Sequence, residues 1–130
     1  MIKPAGLKSE ANIGVISPSY WIAEDVLKNT SEIFTSRNFH LTFGKSIMAK
    51  EGPFAGPPEL RAEDLNNMFA DPNIDAIFCA RGGYGANRVL PLLNYDMIKE
   101  NPKIFIGYSD ITAYLTSITQ KTEIITFNGP

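Results

Sequence analysis

Short apolar runs alternate along this chain with stretches whose apolar residues recur at helical spacing. No other feature constrains the fold as much. Ile13-Gly14-Val15-Ile16-Ser17 is compact and rich in β-branched residues, and Pro18 stops it. Such a run reads as a buried first strand. Ala23 to Arg37 follows with Val26, Leu27, Ile33 and Phe34 at helical spacing and Asn38 as a stop. Phe39 to Phe43 reads as a second strand. Gly44 to Pro58 holds three glycines and three prolines and reads as loop. Pro58 to Ala70 is expected to be a helix with Leu60, Leu65, Met68 and Phe69 on or near one face, ended by Asp71-Pro72-Asn73.

The alternation continues to the end. Asp75 to Ala80 reads as a third strand, Arg81 to Gly85 as a glycine-rich turn and Ala86 to Leu93 as a short helix. Asn101-Pro102 breaks the chain before a fourth strand, Lys103 to Gly107. A helix over Asp110 to Gln120 and a last strand over Glu123 to Phe127 complete the series. Strands and helices in this order make βαβ units. The expected fold is therefore α/β: an open, mainly parallel sheet flanked by helices, Rossmann-like or flavodoxin-like. The 130 residues fit one domain. The chain stops on Gly129-Pro130 straight after a strand, so it reads as cut rather than finished.

Composition narrows the function classes. Net charge is −2, and no basic excess points to nucleic acid or an anionic membrane as partner. No stretch approaches the length of a membrane-spanning helix. Met1 to Gly6 lacks the apolar region of a signal peptide. The single cysteine, Cys79, excludes an internal disulfide and a multi-cysteine metal site. No cofactor and no metal centre is expected, and the cysteine usage fits a reducing compartment.

In open parallel sheets, ligands bind beyond the carboxyl ends of the strands. Two turns fall there: Arg81-Gly82-Gly83-Tyr84-Gly85 and Gly107-Tyr108-Ser109-Asp110. A serine on a tight strand-to-helix turn exposes its Oγ and leaves backbone N–H groups free at the helix start. Taken alone, the hexapeptide from Gly107 to Thr112 reads more readily as a helix cap, with Ser109 or Asp110 as the capping residue. A serine nucleophile also needs a base, and the one histidine, His40, sits in an alternating strand pattern. The Gly82-Gly83 turn can offer N–H groups to an oxyanion, where one donor contributes roughly 3 kcal/mol to transition-state stabilisation. It can equally cradle a phosphate or simply turn the chain. Its spacing is neither a P-loop nor a dinucleotide fingerprint. Arg81 and Arg61 can pair with a ligand carboxylate, although a surface or structural salt bridge is the simpler reading of each. Tyr20 and Trp21 follow the first strand and either wall a crevice or pack over the strand end. Cys79 reads as a core thiol.

Together these segments resemble the LD-carboxypeptidase family of serine peptidases. The resemblance runs through Ile13 to Ser19, Arg61 to Asn66, Asp75 to Gly85 and Asn101 to Thr112, in the family's order. It implies Ser109 as nucleophile, with an oxyanion hole from the backbone N–H groups of Asp110 and of the Gly82-Gly83 turn, most simply Gly83. It also implies substrate contacts from Arg81, Gly82 and Tyr84. Family members complete a triad with a glutamate and a histidine from a C-terminal domain. By that measure residues 1–130 form the N-terminal, nucleophile-bearing domain only, inactive when isolated. The face that the absent domain would cover is expected to be apolar, a surface through which two copies can pair as a homodimer. Asn128 stands where many members carry a histidine that is not the triad histidine. The family removes terminal D-alanine from murein tetrapeptides in the cytoplasm, and some relatives cleave aminoacyl-nucleotide antibiotics. The Arg81 to Gly85 turn looks more like the cell-wall branch. A non-catalytic module binding nucleotide or another anion is the alternative from a different class.

Overall fold

Successive strands pair in parallel because a helix or long loop carries the chain back between them. A computed structural model of the chain describes residues 1–130. Strands β1 (Asn12–Ile16), β2 (His40–Phe43), β3 (Ala76–Cys79), β4 (Ile104–Gly107) and β5 (Phe127–Asn128) form one sheet in the order β2-β1-β3-β4-β5. Every pairing is parallel. This is the flavodoxin-like order, in which the connections from β1 and β3 diverge and leave a crevice at the carboxyl edge. The expected α/β class is the observed one.

The two faces of the sheet are unequally covered. Ile16, Ile77 and Phe105 point to one face and join α2 (Pro58–Ala70), α4 (Tyr95–Glu100) and α5 (Thr112–Thr122) in the main core. Phe69 stacks on Phe105 there, with centroids 5.7 Å apart. Ile13, Val15 and Ala76 point to the other face and form a smaller cluster with Ala11 and Ile47. Helix α1 (Glu24–Ser36) lies on that side and buries none of its residues fully. Its apolar positions are split: Leu27 and Phe34 are half-buried, whereas Val26 and Ile33 face solvent.

Two local expectations are corrected, and one helix was not foreseen. The segment after Gly85 is helical only over α3 (Ala86–Val89), and Leu90–Leu92 tightens to a 3-10 turn around Pro91. Helix α4 carries no prior sequence signal beyond Asn94, whose side chain accepts the Met97 N–H at 3.1 Å. Six residues with one buried side chain, Ile98, are too few to show a period. The last strand does not begin at Glu123. Ile2 donates to the Glu123 carbonyl at 2.6 Å and accepts from Ile125 at 2.9 Å, so the N-terminal segment takes that stretch. Only Phe127–Asn128 reaches β4.

Candidate functional site

Three loops meet at the carboxyl edge of the sheet: those after β1, β3 and β4. The loop after β4 is the tightest. Gly107 ends the strand, Tyr108 stays extended, and Ser109–Ile111 forms a single 3-10 turn that runs directly into α5. Ser109 has φ +60°, the left-handed region that a β-carbon disfavours. A serine held there on a strand-to-helix turn has the backbone geometry that a nucleophile elbow requires. The cap alternative does not describe this turn, because neither it nor α5 receives a side-chain cap. The Ser109 side chain is exposed.

The glycine turn after β3 lies directly against this elbow. A β-carbon added to Gly82 would sit 2.8 Å from the Ser109 Cβ and 3.2 Å from its Oγ. Gly83, at φ +122°, has a conformation open to glycine, and a β-carbon there would run into the Tyr20 ring. The Gly83 N–H makes no backbone hydrogen bond. The two turns singled out from the sequence are therefore brought together.

Asp110 does something the sequence did not reveal. Its Oδ2 accepts from the Ser19 hydroxyl at 2.6 Å and from the Ala86 N–H at 3.1 Å. The carboxylate thus caps the start of α3 rather than its own helix. Ser19 is fully buried in the loop after β1. The sequence signal for it was only its place, two residues beyond Ser17 where the strand stops.

Aromatic rings wall one side. Tyr20, Phe54 and Tyr84 meet edge to face, with centroid separations of 5.0 to 6.0 Å. Such pairs contribute about 0.5–1.5 kcal/mol beyond their burial. Tyr84 is exposed at its outer edge. Arg81 lies over the Tyr20 ring, 5.4 Å from its centroid, and reaches toward the Trp21 carbonyl at 3.5 Å. Tyr20 packs over the strand end and stands against the Gly83 turn.

Arg61 forms no salt bridge and is not on the surface. It is 1% exposed. Its Nε donates to the Gly56 carbonyl at 3.2 Å, and its Nη1 to the Pro18 and Gly85 carbonyls at 3.1 Å each. One turn further along α2, the buried Asp64 carboxylate accepts from the N–H groups of Lys45 and Ser46 at 2.9 and 3.0 Å and from the Ser46 hydroxyl. A helix side chain leans back over the preceding turn, and that direction carries both groups to the loops at the carboxyl edge. The buried positions of α2 are Arg61, Ala62, Asp64, Leu65, Met68 and Phe69. Two charges at stripe positions of an otherwise apolar face were the legible signal for this helix.

His40 and Cys79 take no part. His40 is exposed at the amino end of β2. That strand lies three places from β4, roughly 14 Å across the sheet, and Ser109 is beyond the opposite end. Cys79 is set into the sheet, and burial pushes its thiol far above the ordinary range. On the thinly covered face, an apolar hollow of about 210 Å³ lies among Leu27, Phe34, Phe78, Ile106 and Tyr108. Ser109 is not part of its wall.

A family model for the LD-carboxypeptidase N-terminal domain matches residues 13–129. The probable murein peptide carboxypeptidase of Bacillus subtilis is 35% identical over 128 residues, which is 98% of this chain and 40% of that protein. The microcin C7 self-immunity protein MccF of Escherichia coli is 41% identical over 99 residues, 76% of this chain and 29% of that protein. A solved structure of MccF with aspartyl sulfamoyl adenosine superposes with a TM-score of 0.95 at 37% identity, over 98% of this chain and 39% of that one. The chain spans about two fifths of the length of the first and last of these.

Proposed function

This chain belongs to the LD-carboxypeptidase family, matching its N-terminal domain, and from that premise we propose that it is the nucleophile-bearing part of a serine carboxypeptidase releasing terminal D-alanine from murein tetrapeptide. The observation that carries the reading is the left-handed Ser109 held against the Gly82-Gly83 turn. Ser109 Oγ attacks the carbonyl carbon of the L,D-peptide bond. The C–O bond forms as the hydroxyl proton passes to a base. The carbonyl oxygen becomes an oxyanion between the N–H groups of Asp110 and Gly83. Collapse breaks the C–N bond, the amine of D-alanine takes a proton, and water hydrolyses the acyl-serine.

The resemblance to the family implies that the base is a histidine, with a glutamate partner, in a C-terminal domain outside residues 1–130; His40 of this chain is remote from Ser109. Arg81, Gly82 and Tyr84 border the substrate. The complete enzyme works in the cytoplasm, on recycled wall peptides, without cofactor. The isolated chain positions Ser109 but does not activate it. The test is D-alanine release from murein tetrapeptide by the complete polypeptide, by its Ser109→Ala variant and by residues 1–130 alone. Release is expected only from the first. Activity retained without Ser109 removes it as nucleophile, and activity of the 130-residue chain removes the second domain from the mechanism.

The likeness to MccF in complex with aspartyl sulfamoyl adenosine supports a second reading, cleavage of an aminoacyl-nucleotide. The same elbow would attack an acyl carbon bearing a different leaving group. Parallel assays with murein tetrapeptide and aspartyl sulfamoyl adenosine separate the two by relative kcat/KM.

A further inference from the structure

We propose that Ser19, the side chain of Asp110 and Arg61 are positioning residues that hold the two halves of the oxyanion site in register. The proposal rests on the reading of Ser109, Asp110 and Gly83 given above and deepens it. The two N–H donors come from different loops, Gly83 after β3 and Asp110 after β4. Pairing between those strands ends at Phe78 and Ile106, so the ladder does not reach either donor. A tetrahedral oxyanion needs both within hydrogen-bond reach of one point. Misplacement by about 1 Å costs on the order of 100-fold in rate.

The structure meets this requirement from two sides. Asp110, whose N–H is one donor, sends its carboxylate across to Ala86, three residues beyond the other donor. The same oxygen takes the Ser19 hydroxyl at 2.6 Å. Arg61 ties the loop after β1 to the loop after β3 from within the core, through the carbonyls of Pro18 and Gly85 on a single nitrogen. The loop after β1 and the loop after β3 are thus each held at two points: the carbonyls of Pro18 and Gly85 by a buried cation, the Ser19 hydroxyl and the Ala86 N–H by a carboxylate. Tyr114 adds a third restraint, donating to the Pro18 carbonyl at 2.6 Å. Ser19 is fully buried, so water does not readily replace its hydroxyl. None of these side chains is assigned contact with substrate, and their effect is transmitted through the backbone.

The first arm of the test uses the 130-residue chain and needs no activity. Amide 1H–15N spectra are compared for the wild type, Ser19→Ala, Ser19→Thr and Arg61→Met. Ser19→Ala is expected to shift the Ala86 and Gly83 amides, with Ser19→Thr returning both toward the wild-type positions. Ser19→Cys, which keeps the volume but donates weakly, serves if Ser19→Ala does not fold. An unmoved Gly83 amide in both Ser19→Ala (or Ser19→Cys) and Arg61→Met overturns the proposal. The second arm measures D-alanine release by the complete polypeptide. Ser19→Ala is expected to lower kcat about 10- to 100-fold with KM nearly unchanged, and Ser19→Thr to recover most of it. Unchanged kcat overturns the proposal as well. A wild type that releases no D-alanine counts against the proposed function, while the amide shifts still decide whether the clamp sets the geometry of Gly83.

Discussion

A methyl group on Gly82 would lie 2.8 Å from the Cβ of Ser109. That proximity makes the glycine a steric condition for the elbow. Its other near neighbour, the Tyr108 carbonyl at 3.1 Å, is backbone and yields little. Gly82→Ala is therefore expected to push the two turns apart and to destabilise the chain by about 1–3 kcal/mol, the usual range for overpacking. Chemical denaturation of the variant measures it. A loss well under 1 kcal/mol would mean that the turns have room to separate.

Ser109 itself predicts the opposite sign. Its φ of +60° carries a strain on the order of 1 kcal/mol that glycine does not. Ser109→Gly gains that strain energy and loses part of it to the greater freedom of glycine in the unfolded chain. The variant is expected to be as stable as the wild type or more so, by up to about 1 kcal/mol. Ser109→Val, β-branched at a positive φ, is expected to be clearly less stable. Thermal melts of the pair decide the matter, and equal melting temperatures would contradict the strained geometry.

Removing the Arg61 guanidinium leaves the carbonyls of Gly56, Pro18 and Gly85 without this donor. Each unsatisfied buried acceptor costs about 1–3 kcal/mol, and Tyr114 still serves Pro18. Arg61→Met is expected to lose on the order of 3 kcal/mol in a urea titration. Arg61→Lys should recover only part, since an ammonium lacks the planar fork that reaches three carbonyls.

Cys79 gives a pH dependence with a definite sign. Burial raises its thiol pKa above the unfolded value, which is about 8.5. Above that pH the unfolded chain releases a proton that the folded chain retains, so stability is full below pH 8.5 and falls as pH rises. Between pH 8 and pH 10 the wild type is expected to lose on the order of 1 kcal/mol more than Cys79→Ala. The thiol is also expected to react slowly with iodoacetamide at neutral pH until the chain is unfolded. Prompt labelling of the folded chain would show that reagent reaches the thiol through the neighbouring hollow.

The α/β class, the helix at Pro58–Ala70 and the approximate place of each strand were legible because they depend on local periodicity and on proline and glycine punctuation. So were the two turns at the carboxyl edge, since strand order along the chain already puts them at the same end. What escaped was short or non-local. Helix α4 buries one side chain and leaves no period. The stretch from Glu123 to Ile125 has strand composition, but Ile2 competes for its hydrogen bonds across the whole length of the chain. Arg61 read as a salt-bridging residue because its partners are carbonyl groups, which every residue carries and no composition reveals.

By itself, then, the amino-acid sequence determined that this protein builds a parallel sheet with a serine turn and a glycine turn at one edge. Hydrophobic spacing and backbone restriction act over a few residues, and a linear reading captures them. Only the tertiary structure decided that Gly82 touches Ser109, that the Asp110 carboxylate spans from Ser19 to Ala86, and that a buried cation on α2 ties Pro18 to Gly85. Those contacts join residues 24 to 91 positions apart. They exist because the sheet order places β1, β3 and β4 side by side, and buried polar groups at the ends of adjacent strands must then find partners in one another.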